Sequence, residues 1–192
     1  MTQRNLLRTQ LTDAWKETID IYQKQLINSE HGLQVYFCSA LLRAFEKNKV
    51  KRRIFVEPKV SATNISESRY PDVVICNTKR VIGVVELKYA PRAVAKYKKD
   101  LKTFKFVASL SDDLTISNDR FLGITTDNRK YPLAPDVILC WAGVYCGPAM
   151  DLRDEIHPPL GARLLQLDAI TAQNEIPTIY IDRKKQPIST SF

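Results

Sequence analysis

Long apolar runs are missing from this sequence. No stretch of 18 consecutive apolar residues occurs in the 192-residue chain, which leaves no segment to read as a transmembrane helix. The opening residues, MTQRNLLRTQLTDAW, contain no unbroken hydrophobic stretch of the signal-peptide kind. Cysteine is scarce and poorly spaced for metal. Cys38, Cys76, Cys140 and Cys146 form no CxxC pair and stand in apolar surroundings, which argues against zinc and iron–sulfur modules and predicts reduced thiols in a cytoplasmic protein. There are only two histidines. His31 reads as a first-turn surface residue and His157 as part of a His-Pro-Pro loop, so neither is taken as a general base. Internal repeats and low-complexity segments are absent. The sequon Asn64-Ile65-Ser66 stands alone, without any other sign of secretion.

What is present is basic and globular. Lys and Arg number 29 against 21 Asp and Glu, a formal net charge of +8. That balance favours polyanion partners: DNA, RNA or an anionic membrane surface. Hydrophobic residues make up 44% and aromatics 9%, enough for one well-cored domain.

In order, Leu7, Leu11, Trp15, Ile19, Tyr22 and Leu26 recur at helical spacing and predict an amphipathic helix over 5–27. It reads as a packing helix, with a homodimer contact or a nucleic-acid clamp as its other uses. Asn28-Ser29 caps a second helix over 30–47. Glu30 lies in its first turn, where the helix dipole favours a negative charge; the same residue is also readable as an acidic group aimed at a site. Lys47, Lys49, Lys51, Arg52 and Arg53 form a basic cluster, read either as a solvated connection or as a phosphate contact. Ile54-Phe55-Val56 begins a strand that Pro58 ends. Residues 59–69 read as a loop or a partly ordered excursion.

The stretch Tyr70–Tyr89, YPDVVICNTKRVIGVVELKY, organises the chain. Two apolar runs flank the polar segment Asn77–Arg80, which predicts a strand, a turn and a second strand. Folding about Thr78-Lys79 sets Asp72 opposite Val85 and Pro71 opposite Glu86, so the Asp72 and Glu86 ends meet at the sheet rim. Lys88 follows Glu86 at i+2 on the same face. A lysine-rich helix over 94–110 follows, in which Asp100 is read as a tether for a neighbouring lysine. Strands are expected near 121–125, 137–145 and 178–182, and residues 164–168 read as either helix or strand. Pro135-Asp136 imitates Pro71-Asp72 but lacks a following Glu-x-Lys, and Asp136 is read as a turn residue.

Carboxylates brought together repel one another unless a cation lies between them, and oxygen ligands of this kind suit Mg²⁺ or Mn²⁺. Asp72 and Glu86, with the Leu87 carbonyl, are the expected metal ligands. Phosphodiester hydrolysis needs an activated water and compensation of phosphoryl and leaving-group charge. Lys88 carries a mobile point charge suited to the water or the scissile phosphate. Glu57 is the candidate for an additional metal or water contact.

Pro71-Asp72 with Glu86-Leu87-Lys88 resembles the PD-(D/E)xK signature of the restriction-endonuclease-like nuclease superfamily. The resemblance covers about 29–125 and implies an α/β fold, a central mixed β-sheet flanked by helices in α-β-β-β-α-β order. The expected domain is a single one over 1–192, with helix 5–27 before the core and an elaboration over 131–192 after it. Under the resemblance Asp72 and Glu86 match the metal carboxylates, Lys88 the active-site lysine, and Glu30 an acidic residue of the first core helix. The implied activity is a Mg²⁺-dependent endonuclease acting on DNA. The alternatives are a nuclease for RNA or branched junctions, and a non-catalytic nucleic-acid-binding or assembly protein of the same fold.

Overall fold

The computed structural model describes residues 2–62, 65–110, 114–116, 131–153, 155–156, 158–173 and 175–187. Two capped helices lead the chain. Thr2 caps α1 (Gln3–Gln23), its side chain accepting from the Asn5 amide, and Ser29 caps α2 (Glu30–Lys47) by accepting from the Gly32 amide at 3.0 Å. The predicted stripe of α1 is interior: Leu7, Leu11, Trp15 and Ile19 are fully buried, and Trp15 meets Phe37 of α2 edge to face. The helix therefore packs within the chain, as its stripe predicts, whereas Leu26 lies beyond the helix and is exposed.

Ten strands follow. They are β1 (Arg53–Val56), β2 (Val60–Ala62), β3 (Ile65–Arg69), β4 (Val73–Cys76) and β5 (Val81–Ala90), then helix α3 (Lys98–Ser109), β6 (Leu114–Ile116), β7 (Leu133–Cys146), the short helix α4 (Pro158–Gly161), β8 (Leu164–Thr171), β9 (Thr178–Ile181) and β10 (Lys184–Lys185). The main sheet has the order β1-β4-β5-β7-β8-β9-β10, and a small sheet the order β3-β2-β6. β5, β7 and β8 run parallel, while the remaining pairs are antiparallel. Helices α1 and α2 cover one face and α3 the other, giving an α/β fold with a central mixed sheet flanked by helices. β7 lies in mid-sheet between these layers, and its apolar run from Val137 to Tyr145 is buried throughout, as expected for a strand covered on both faces. No helix among the described residues is long and apolar enough to cross a membrane.

Several expectations change. The strand that pairs with β5 after α3 is β7; the strand expected at 121–125 lies outside the described residues. The expected elaboration after residue 131 supplies β7 to β10 of the main sheet. Residues 60–62 and 65–69 are strands: β2 pairs with β3 on one side and with β6, remote in sequence, on the other. Asp136 is an exposed residue within β7, where the ladder with β5 is irregular. Arg52 and Arg53 both have partners within the chain: half-buried Arg52 lies over the Phe45 ring, and exposed Arg53 donates to the Tyr131 hydroxyl.

The hairpin register also differs from expectation, and the reason is local. The Asn77 side chain accepts from the amides of Lys79 and Arg80 and closes the turn. Cys76 then pairs with Val81, as a fold about Thr78-Lys79 requires, but Ile75 pairs with Gly83 and Val73 with Val85. One extra residue in β5, Ile82, makes a β-bulge. Val81 faces α3, Ile82 and Gly83 both lie on the α1/α2 side, and Val84 faces α3 again. The bulge thus turns Glu86 and Lys88 to the α3 side and brings Asp72 level with Glu86.

On that side Gly143 of β7 has no substitute. A Cβ there would lie 2.3 Å from the Trp141 ring, which folds across the space. Gly143→Ala is expected to destabilise by about 1–3 kcal/mol through overpacking, read as a lower urea midpoint; an unchanged midpoint would contradict this packing.

Candidate active site at the sheet rim

Asp72 precedes β4 and is fixed by three elements. Its carbonyl accepts from Gln34 Nε2 of α2 and from the Glu57 amide, both at 2.9 Å. Its carboxylate Oδ2 accepts from the Leu87 amide at 2.5 Å. Glu57 reaches this position because the chain leaves β1 with a positive φ of 46°. Its backbone therefore joins the site, while its half-exposed carboxylate lies 3.9 Å from the ring of the exposed His31.

Glu86 is only 6% exposed. It lies within hydrogen-bonding reach of Asp72 and Thr103. Burial pushes its carboxyl up to about 9, with the Asp72 charge adding to the effect. Burial likewise pushes Asp72 up, to about 6, against the opposing Leu87 amide bond. The contact between the two raises Glu86 and lowers Asp72, so the shared proton resides on Glu86.

Lys88 sends its ammonium to Glu30 Oε2 at 2.9 Å. The same carboxylate oxygen accepts from the Tyr89 amide at 3.0 Å. The structure thus brings Glu30 to the end of β5, in addition to its place in the first turn of α2. Lys88 titrates above its usual range: burial opposes this, but the Glu30 bond and the charges of Glu30, Asp100 and Asp72 outweigh it.

Asp100 was expected among solvated lysines and is instead buried. Its Oδ2 accepts from Trp141 Nε1 at 2.9 Å, a bond to an ionisable group of the kind that contributes about 1.5–3 kcal/mol. Burial raises its pKa, with the Trp141 bond and Lys88 opposing. Thr103 lies one turn on. The missed signal is its spacing: Asp100 precedes Phe104 by four and Val107 by seven, both buried, so it occupies the apolar stripe. The lysines at 98, 99, 102 and 105 are exposed on the same helix.

Asp72, Glu86, Lys88 and Glu30 therefore converge at one rim, and Leu87 contributes its amide to Asp72. Among the described residues no three His, Cys, Asp or Glu side chains are grouped so as to hold a metal ion together. The four cysteines are free, and burial, helped by the Asp72 charge, pushes Cys38 on α2 up to about 11. His157 lies outside the described residues. Comparison with protein-family models, with curated proteins and with solved structures finds no match.

The pH dependence follows from these carboxyls. A group whose pKa is raised on folding stabilises the native state below its unfolded value and loses that contribution as pH rises through its folded value. In the absence of divalent cations, stability should fall from about pH 4 through pH 6 and on toward pH 9, by up to about 1.4 kcal/mol per pH unit for each proton. Glu86→Gln should remove the part between pH 6 and 9, measured as urea midpoints. Parallel curves for the two proteins would refute the assignment.

Proposed function

We propose that this chain is a divalent-metal-dependent endonuclease of the restriction-endonuclease-like, PD-(D/E)xK type, hydrolysing phosphodiester bonds in DNA. One observation carries the reading. The bulge in β5 sets two interacting carboxyls, Asp72 and Glu86, and the Lys88 ammonium on one rim of a mixed sheet. The succession α2, β1, β4, β5, α3, β7 supports it by following an α-β-β-β-α-β order, with the small sheet and its connections inserted.

The donor set suits a hard cation. Asp72 and Glu86 are oxygen ligands in mutual contact that hold a proton between them. Mg²⁺ is usually held by one or two carboxylates with waters and substrate phosphates rather than by an all-protein cage, so a two-carboxylate site fits it. Asp72, Glu86 and the Leu87 carbonyl would hold Mg²⁺, or Mn²⁺ in its place. When bound, the ion supplies positive charge at the phosphoryl oxygens and lowers the pKa of water.

The protein's own groups do the rest. Asp72, held by its three donors, keeps its carboxylate in a fixed orientation. Lys88 offers a positive charge to the attacking water or the scissile phosphate, and Glu30 sets where that ammonium rests. Asp100, locked by Trp141, adds negative potential that keeps Lys88 charged. The exposed lysines of α3 supply a surface for backbone phosphates, which carries no base sequence and leaves RNA or a branched junction as the alternative polymer. A non-catalytic nucleic-acid-binding or assembly role is the second reading, favoured by the absence of a three-ligand group among the described residues.

Two measurements separate these readings. Plasmid and single-stranded DNA should be cleaved with Mg²⁺ or Mn²⁺, and Asp72→Ala, Glu86→Ala and Lys88→Ala should each lower the rate at least about 100-fold. Normal DNA binding without cleavage in either metal would favour the non-catalytic reading and sink the enzyme. Separately, Mn²⁺ should raise the melting temperature at pH 8, and Glu86→Gln should abolish the rise; an equal rise in both proteins would place the ion elsewhere.

A further inference from the structure

Beyond the carboxylate rim, a cleft of about 1250 Å³ opens where β5, β7 and β8 end. Ala90, Cys146 and Thr171, the last residues of these parallel strands, line it. Ends of parallel strands are where connections diverge and crevices form. Neither Asp72 nor Glu86 lines this cleft. It meets the candidate site at Tyr89, which follows Lys88 and points to the opposite face of the sheet.

The chemistry of its walls is specific. Tyr89 and Tyr22 stand edge to face, with centroids 6.2 Å apart, and the Tyr89 hydroxyl is fixed on the Ile27 carbonyl at 3.1 Å. Around them the exposed amides Gln23, Gln25, Asn28 and Gln173 each offer both a donor and an acceptor. Charge is balanced, with one guanidinium, Arg92, and one carboxylate, Glu175. Aromatic faces with amides match nucleobases, which stack and present mixed donor–acceptor edges. Charge balance disfavours a densely phosphorylated duplex backbone as the occupant. The volume exceeds the roughly 300–1,000 Å³ of pockets that enclose one drug-sized molecule, in keeping with several units of a polymer.

We infer that this cleft is a second binding site, for unpaired nucleobases of a single-stranded segment that runs on from the phosphate at the Asp72–Glu86–Lys88 rim. The inference rests on the nuclease reading for its direction, because a strand held at Lys88 enters the cleft at the next residue, Tyr89. Arg92 then takes a backbone phosphate, and the tyrosines and amides take bases. The site favours a strand with an unpaired end over a blunt duplex.

The test is fluorescence anisotropy with a labelled twelve-residue oligo-dT, without divalent cations so that no strand is cut. The full chain should bind it at least fivefold more tightly than a blunt duplex of equal length. Arg92→Ala combined with Gln173→Ala removes two exposed side chains and should weaken oligo-dT binding at least fivefold with an unchanged melting temperature. Tyr22→Leu should weaken it similarly, whereas Tyr22→Phe, which keeps the ring, should not. Should Tyr22→Leu fail to fold, the Arg92 and Gln173 pair decides. Unchanged affinity in that double variant, or equal binding of blunt duplex, overturns the inference even if DNA is cleaved. Loss of oligo-dT binding in the cleft variants of a protein that cleaves nothing leaves this site standing and removes the nuclease reading alone.

Discussion

One extra residue in β5 governs the arrangement of this protein. Side chains alternate along a strand, so a single insertion exchanges the two faces for everything that follows. Before Ile82 the strand matches the turn at Asn77; after it, Val85 and Leu87 enter the layer beneath α1 and α2, while Glu86 and Lys88 face α3. The apolar burial of Val85 and Leu87, both within 1% of complete, holds this choice in place. Moving the polar pair to the other face would drive a carboxylate and an ammonium into the α1/α2 core, where an uncompensated charge is strongly disfavoured.

The site that results is rigid in its backbone and tense in its charges. Donors from α2, the end of β1 and β5 fix Asp72. Trp141, seated over Gly143, fixes Asp100. Against Asp72, Glu86, Asp100 and Glu30 the site sets the ammonium of Lys88, whose direct bond goes to Glu30, with Lys99 a further positive charge acting on Asp100. Burial first, with repulsion adding to it, makes the innermost carboxyls hold a proton. Orientation prepared in advance, with charge left uncompensated, is the condition under which an arriving cation gains most.

Much of this was legible because it is local. Ser29 as a cap, the helix 30–47, the two strands of the hairpin and the Glu86-x-Lys88 spacing follow from near neighbours. The first helix was legible as a packing helix from its stripe, although amphipathicity alone does not say which element covers it; here α2 and the sheet do. Residues 59–69 were misread because Val60–Ala62 and Ile65–Arg69 are short and polar, and a third strand from 114–116 completes their sheet. The bulge was invisible because an alternating pattern in a strand buried on both faces is apolar on either parity, so VIGVV fits both registers. Asp100 was misassigned because the lysines around it offer an obvious pairing, whereas its true partner, Trp141, is 41 positions away. The fold class was readable from element order; the strand beside β5 was not, because a parallel partner is set by a crossover and not by a turn.

Sequence separation also orders the assembly of the site in time. Asp72 and Glu86 belong to one hairpin, and hairpins close within microseconds. The layer that removes them from water arrives later, because α3 and β7 complete a crossover whose contacts are distant along the chain. The carboxyls therefore approach one another while still hydrated, when repulsion is well screened. Desolvation falls on the docking of Thr103, Asp100 and Trp141, which makes the closing of the α3 layer the stage at which proton uptake and folding become one event.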